Sequence, residues 1–205
     1  AAEGWRVHAT CRKPEAAAKL KAIKGDVRVH KLDVTDEAGI AGLAKSLGGE
    51  AIDLLINNAG VLPEDEQLGT TDTKAWMETL RINTIAPIHM VEQFIEHVAR
   101  SERRQIVNIT SRMGSIGDNT SGESYAYRTS KAALNMAMKN AAIELAPRGV
   151  TVVLFHPGWV KTDMGGPDAA VEPQDSVAGM RAKIAALTKL DNGKFYTYEG
   201  LPLPW

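Results

Sequence analysis

The sequence predicts an α/β fold in which a parallel sheet carries helices on both faces, a doubly wound arrangement. Two observations carry that expectation. Short β-branched runs alternate with longer stretches of helical periodicity along the chain, the pattern of strands joined by helical crossovers. Glycines or prolines punctuate the helical stretches, and no repeat, low-complexity tract or linker intervenes, so residues 1–205 are expected to form a single domain.

Strands are predicted at residues 6–11, 27–32, 51–56, 105–110, 150–155 and 194–198, and helices at 14–24, 37–47, 73–100, 125–146 and 174–189. Pro14 stands where a first-turn proline is tolerated, and Gly25, Gly48 and Gly149 stand where helices should stop. The stretch 73–100 contains Pro87, which has no N–H to give the carbonyl of Asn83, so a kink is expected there. Right-handed crossovers place the ligand site of such a sheet at the carboxyl ends of its strands. The residues there are Arg12, Asp33, 57–60, Ser111 and Pro157-Gly158, several of them polar or glycine.

Composition narrows the function classes. With 24 Lys+Arg against 25 Asp+Glu, the chain has no basic excess for nucleic acid or an anionic membrane. No apolar stretch approaches the roughly 18 residues needed to span a bilayer, and a soluble protein is expected. The single cysteine, Cys11, excludes an intrachain disulfide, no Cys/His ligand cluster is present, and a reducing, cytoplasmic compartment is the simplest expectation.

Tyr127 and Lys131, four apart, share one face of the helix predicted at 125–146. A phenol is a poor acid–base catalyst near neutrality, and a fixed cation beside it would favour its anion and lower its pKa. The same spacing occurs on many solvated helices. Ser111 directly follows a strand and could donate to a substrate oxygen, or could simply cap the turn 112–114. The carbonyl of Asn83, freed by Pro87, could hold a water that passes protons toward Tyr127, or the kink could merely wrap the core.

Asn58-Ala59-Gly60 after one strand, Ser111 after the next, Tyr127-Arg-Thr-Ser-Lys131, and Pro157-Gly158-Trp-Val160-Lys-Thr162 occur in this order. Together they resemble the short-chain dehydrogenase/reductase family along essentially the whole chain. Residues 109–116 and 125–131 resemble its sniffer-type carbonyl reductase and C-factor branch. The resemblance implies a Rossmann-like domain and a catalytic tetrad of Asn83, Ser111, Tyr127 and Lys131. Tyr127 would be the general acid/base and Ser111 the donor orienting the carbonyl. Lys131 would lower the tyrosine pKa and hold ribose hydroxyls, and Asn83 would hold the relay water. Ser115 competes with Ser111, and Tyr125 is a second phenol whose i+4 neighbour is Thr129.

Cofactor residues follow from the same likeness. Tyr127 and Lys131 count among them, Lys131 through the ribose hydroxyls; Asn58, Ala59 and Gly60 would lie by the adenosine ribose, Asp33 and Val34 by the adenine, and Pro157, Gly158, Val160 and Thr162 at the nicotinamide carboxamide. Asp33 could equally cap the helix predicted from Glu37. Arg12 follows the strand after which NAD-binding relatives carry an acid, and a guanidinium there suits a 2′-phosphate, so NADP is expected over NAD. The family's Thr-Gly-x-x-x-Gly-x-Gly loop and first strand have no counterpart in the sequence, and residues 1–4 resemble the tail of the helix that follows that loop. The chain is therefore read as N-terminally truncated, its sheet expected to split between strands 6–11 and 51–56. The function implied is NADP-dependent reduction of a small-molecule carbonyl substrate, with a homodimer through helices 73–100 and 125–146. The alternative is a non-enzymatic binding or signalling fragment of the same fold. Residues 162–175, rich in Gly, Pro and Ala, suggest an open site for a small or flat substrate.

Overall fold

The computed structural model describes residues 1, 3–64 and 66–205 and divides into two compact units, residues 1–48 and 49–205. In the first, β1 (Val7–Cys11) and β2 (Val27–Lys31) pair in parallel, Val7 opposite Val27 through Cys11 opposite Lys31. The expected helix 14–24 is a 3₁₀ turn at Pro14–Ala16 followed by one α-turn, α1 (Ala18–Lys21). Neither piece buries a residue, and an isolated helix this short lacks the packing that would sustain it. α2 (Glu37–Ser46) buries Ile40 and Ala44, and its cap is Asp36, which accepts from Gly39 N at 3.0 Å. Asp33 therefore does not cap this helix; its carboxylate closes a turn on Thr35. The helix tail expected at residues 1–4 falls partly on Ala2, outside the described residues. Gly4 N closes a turn on Ala1 O, with Gly4 at φ +84°.

The second unit holds β3 (Leu54–Asn57), β4 (Gln105–Ile109), β5 (Thr151–His156) and β6 (Lys194–Thr197), neighbours in that order and all parallel. The strands thus fall into two sheets, β1 and β2 in one and β3 to β6 in the other. The helices are α3 (Thr73–Leu80), α4 (Ala86–Ala99), α5 (Tyr125–Leu145) and α6 (Pro173–Ala185). α4 packs on β3 and β4, and α5 on β5. Alternate strand residues Val107, Val153 and Phe155 form a cluster with Ile184 and Met180 of α6. The sheet is thus covered on both faces, and β5 is an almost continuous apolar run, as a strand buried on both sides should be.

The helix expected over 73–100 is not continuous. A π-helical turn, Arg81–Ile85, separates α3 from α4, and Ala86 N reaches back to Arg81 O. Pro87 is the physical reason, because it removes an i→i−4 bond and the backbone widens locally.

α6 is tied to β6 through Asp191. Its buried carboxylate accepts from Lys183 Nζ (2.8 Å), Tyr196 Oη (2.5 Å), Thr188 N (2.8 Å) and Thr188 Oγ1 (2.9 Å). Although burial opposes ionisation, these donors hold the carboxyl well below the usual carboxylate range. Asp191→Ala leaves the donors unpaired and should cost about 2–3 kcal/mol in denaturant unfolding. Because the folded-state pKa is depressed, this stabilisation is complete above the ordinary carboxylate pKa of about 4 and drains away below it. The wild-type and variant stability curves should therefore converge in acid.

Candidate active site

At the end of β4 the backbone stays in register with β5, Thr110 N donating to Phe155 O at 2.8 Å. Thr110 Oγ1 donates to Asn135 Oδ1 of α5 (2.7 Å), while Asn135 Nδ2 donates to Gly114 O (3.2 Å). Ser111 does two things at once. Its oxygen accepts from Met113 N at 3.1 Å, capping the 3₁₀ turn Arg112–Gly114, and its hydroxyl stands near enough to the Tyr127 phenol to favour the phenolate. Ser115 instead accepts from Asp118 N (3.1 Å). Of the two serines, Ser111 is the one whose side chain influences the Tyr127 phenol.

The start of α5 is set by long-range contacts. Glu123 and Ser124 follow Gly122 with φ of +59°, +49° and +70° respectively, so two side-chain-bearing residues occupy the left-handed region. Buried Glu66 holds this start in place: Oε2 accepts from Ala126 N (2.7 Å), Oε1 from Asp72 N (3.2 Å), and its carbonyl from Ser124 N (2.8 Å). A carboxylate at a helix N-terminus satisfies otherwise orphaned amides and complements the dipole. Tyr125 turns toward α3, its ring 6.1 Å from that of Trp76, and Trp76 Nε1 donates to Thr129 Oγ1 at 2.7 Å.

Tyr127 and Lys131 are both buried. The Lys131 ammonium donates to Ile109 O at 3.0 Å and lies 5.8 Å from the centre of the Tyr127 ring. Burial brings its pKa down to about 8. Burial also pushes the Tyr127 phenol up, against the opposing influence of the Ser111 side chain. The lowering expected of the tyrosine from its spacing to Lys131 is therefore corrected: in this chain by itself, desolvation wins over stabilisation of the phenolate.

Asn83 sits in the π-helical turn, fully buried. Its amide pairs with Val61 on both sides, accepting from Val61 N (2.8 Å) and donating to Val61 O (2.9 Å), and reaches Ser130 Oγ at 3.0 Å. Thr84 Oγ1 donates to Ser130 O at 2.8 Å, stitching the turn to α5 one residue before Lys131. Gly60 lies over this junction. A Cβ at Gly60 would stand 3.3 Å from Asn83 Oδ1 and 3.5 Å from Lys131 Nζ. Gly114 is tighter still, since a Cβ there would meet the Lys131 carbonyl carbon and Cβ at 2.8 Å.

Asn58 and Ala59 are exposed beyond the end of β3. Beyond β5, Gly158 adopts φ +86° against Val171 and Tyr198, and Ser176 Oγ of α6 donates to Pro157 O at 2.6 Å. Val160 bridges to Val171, and Thr162 Oγ1 accepts from Gly165 N (3.2 Å). Most of 162–175 is exposed. In the first unit, Arg12 is exposed after β1, and Asp33 (exposed) and Val34 (half-buried) follow β2. The structure thus gathers Asn83, Ser111, Tyr127, Lys131 and Gly60 within the second unit, while Arg12, Asp33 and Val34 belong to the first. Glu66, Gly114 and Asn135 are the supports that sequence reading missed. Only Gly114, as a glycine two residues after a capped turn began, offered any local signal.

Among the described residues no helix is long and apolar enough to cross a membrane, and no group of three or more His, Cys, Asp or Glu is arranged to hold a metal. The family model for short chain dehydrogenases matches residues 1–172. The chain is 44% identical over 154 residues to the C-signal of Myxococcus xanthus, covering 75% of this chain and 93% of that protein. Its structure is similar to the carbonyl reductase Sniffer of D. melanogaster, with a TM-score of 0.93, 32% identity, and 97% of this chain and 87% of that one covered. It is also similar to an NADPH-bound carbonyl reductase from chicken fatty liver, with a TM-score of 0.91, 34% identity, and 98% and 88% covered.

Two outcomes follow from this geometry. Lys131 should titrate near pH 8, ammonium below and amine above, when followed by NMR of isotope-labelled lysine side chains. Gly114→Ala should lower unfolding stability by about 1–3 kcal/mol, because α5 and the turn must part to admit the methyl group.

Proposed function

The chain belongs to the short-chain dehydrogenase family, and we propose that it is an NADP-dependent oxidoreductase reducing a small carbonyl compound to an alcohol, with residues 1–205 acting as one domain. The observation that carries this reading is the buried Tyr127 phenol with the Ser111 hydroxyl near it and the Lys131 ammonium beside its ring. The donor set fits a dinucleotide. Lys131 Nζ has three protons and gives one to Ile109 O, leaving two for ribose hydroxyls. The Gly60 turn beside it is bare where a Cβ would crowd the ammonium and the Asn83 amide.

When bound, the reduced dinucleotide supplies a hydride for the carbonyl carbon. Ser111 donates to the carbonyl oxygen and orients it toward Tyr127. The same oxygen takes the phenolic proton as charge develops on it. A phenol held protonated by burial is in the form that protonating the carbonyl oxygen needs. Lys131 stands next in line to return a proton, and the main-chain carbonyl of Asn83, facing no N–H on Pro87, is the proposed seat of the relay water. The Asn83 side chain itself positions the Gly60 turn through Val61.

We assign Asn58, Ala59 and Gly60 to the adenosine ribose, Asp33 and Val34 to the adenine, and Pro157, Gly158, Val160 and Thr162 to the carboxamide. Arg12, charged and exposed, is assigned to the 2′-phosphate of NADP, in keeping with the NADPH-bound chicken enzyme. Exposed Met77 on α3 and Met136 and Ile143 on α5 support a homodimer through these helices. The likeness to a protein called C-signal favours a second reading, a binding or signalling chain of the same fold.

The readings separate in one set of measurements. With NADPH and a panel of ketones, aldehydes and quinones, the protein should consume NADPH. Tyr127→Phe should reduce the rate at least a thousandfold while NADPH binding, followed by fluorescence, persists. Absence of NADPH binding and turnover in the wild-type protein would sink the enzyme reading and leave the signalling one.

A further inference from the structure

The longer helices begin in two ways. α2 and α3 start after Asp36 and Asp72, extended residues whose own carboxylates accept amides of the first turn, as a helix start ordinarily requires. α5 does not. The residue before it, Ser124, is left-handed at φ +49° and ψ +48°, and its side chain makes no capping bond. With Gly122 (φ +70°) and Glu123 (φ +59°) it forms three consecutive left-handed residues, a run that only the glycine adopts without cost.

The cap that Ser124 lacks is supplied by Glu66. Its Oε2 accepts from Ala126 N at 2.7 Å, across 60 positions, and its carbonyl accepts from Ser124 N at 2.8 Å, so one residue grips the backbone on both sides of Tyr125. The other carboxylate oxygen, Oε1, accepts from Asp72 N at 3.2 Å, at the residue that caps α3. A second tie lies one turn along: Trp76 of α3 donates Nε1 to Thr129 Oγ1 (2.7 Å), and that hydroxyl donates to Tyr125 O (2.7 Å). Ala126 is wholly buried and adjoins Tyr127, so the path of this first turn decides where the phenol stands. A carboxylate accepts at both oxygens, whereas a carboxamide of the same shape would turn an NH2 group toward one of the two amides.

We propose that Glu66 is a positioning residue for the acid–base chemistry: its carboxylate holds the left-handed entry 122–124 in place and thereby sets the Tyr127 phenol against Ser111 and Lys131. The inference rests on the reductase reading of that site. Backbone strain persists where the surroundings over-determine it, and here the carboxylate is what over-determines it. A misplacement of about 1 Å can cost about a hundredfold in rate.

The test uses Glu66→Gln in the NADPH-loaded protein, with whichever of the ketones, aldehydes and quinones wild type reduces fastest. kcat should fall at least tenfold while KM for NADPH stays within twofold. Adding Glu123→Gly should recover at least threefold of that loss, because glycine takes the left-handed conformation without help from the carboxylate. Amide hydrogen exchange, measured without substrate, should quicken at least tenfold at Ala126 in Glu66→Gln and stay unchanged at Met138 and Ala142 further along α5. A kcat within threefold of wild type overturns the proposal. So does exchange that rises evenly along α5 with nothing recovered by the glycine, since Glu66 then serves stability alone. Should Glu66→Gln not fold, Glu66→Asp, which keeps the charge on a shorter stem, takes its place under the same criteria. A wild-type protein that reduces no carbonyl compound would remove the reductase reading, and exchange at Ala126 would still decide whether the carboxylate holds the turn.

Discussion

A lysine ammonium enclosed in protein is the constraint around which the second unit is organised. Lys131 meets one carbonyl, that of Ile109, and burial alone brings its pKa to about 8. An ion in that position demands close approach of backbone from several directions. Gly114 supplies it from the turn after β4, and Gly60 from the turn after β3. The π-helical turn at Arg81–Ile85 brings Asn83 to the same place, where its amide pins Val61 and so the turn at Gly60. Each of these contacts fails if α5 slides by a residue, and Asn135 and Ser130 hold it against sliding.

The legible part of this arrangement was the part written in local patterns. Strand and helix order, the site at the carboxyl ends of the strands, and the residues Asn83, Ser111, Tyr127 and Lys131 all carry short-range or motif signals. Pro87 likewise announced a discontinuity in its helix, although whether the backbone would bend or widen depended on what it packed against. The region 14–24 misled because its alanines and lysines have helical propensity but no apolar face to bury, and propensity without packing yields one α-turn. Glu66 was invisible because a glutamate in a loop has no pattern that names a helix start 60 residues away.

Electrostatics separates what spacing suggests from what burial enforces. A phenol and an ammonium four residues apart suggest mutual stabilisation of charge, but both are desolvated here, and desolvation disfavours the charged form of each. The chain therefore keeps a neutral phenol and a weakened ammonium, and the nearby Ser111 side chain is the influence that draws the phenol back. Asp191 shows the opposite balance. Four donors converge on it, and hydrogen bonding overrides burial.

The buried carboxylate of Glu66 also bears on the order in which the molecule assembles. The body of α5 needs only its neighbours in sequence, and a helix of that length can nucleate early and grow quickly. Its first turn is different, because Ala126 and Ser124 wait for Glu66 across a separation of about 60 residues, and closing so large a loop must precede any gain from the contact. The turn bearing Tyr127 is thus among the slowest parts of the chain to become native, and a chain with the body of α5 already formed would still lack the native surroundings of that phenol.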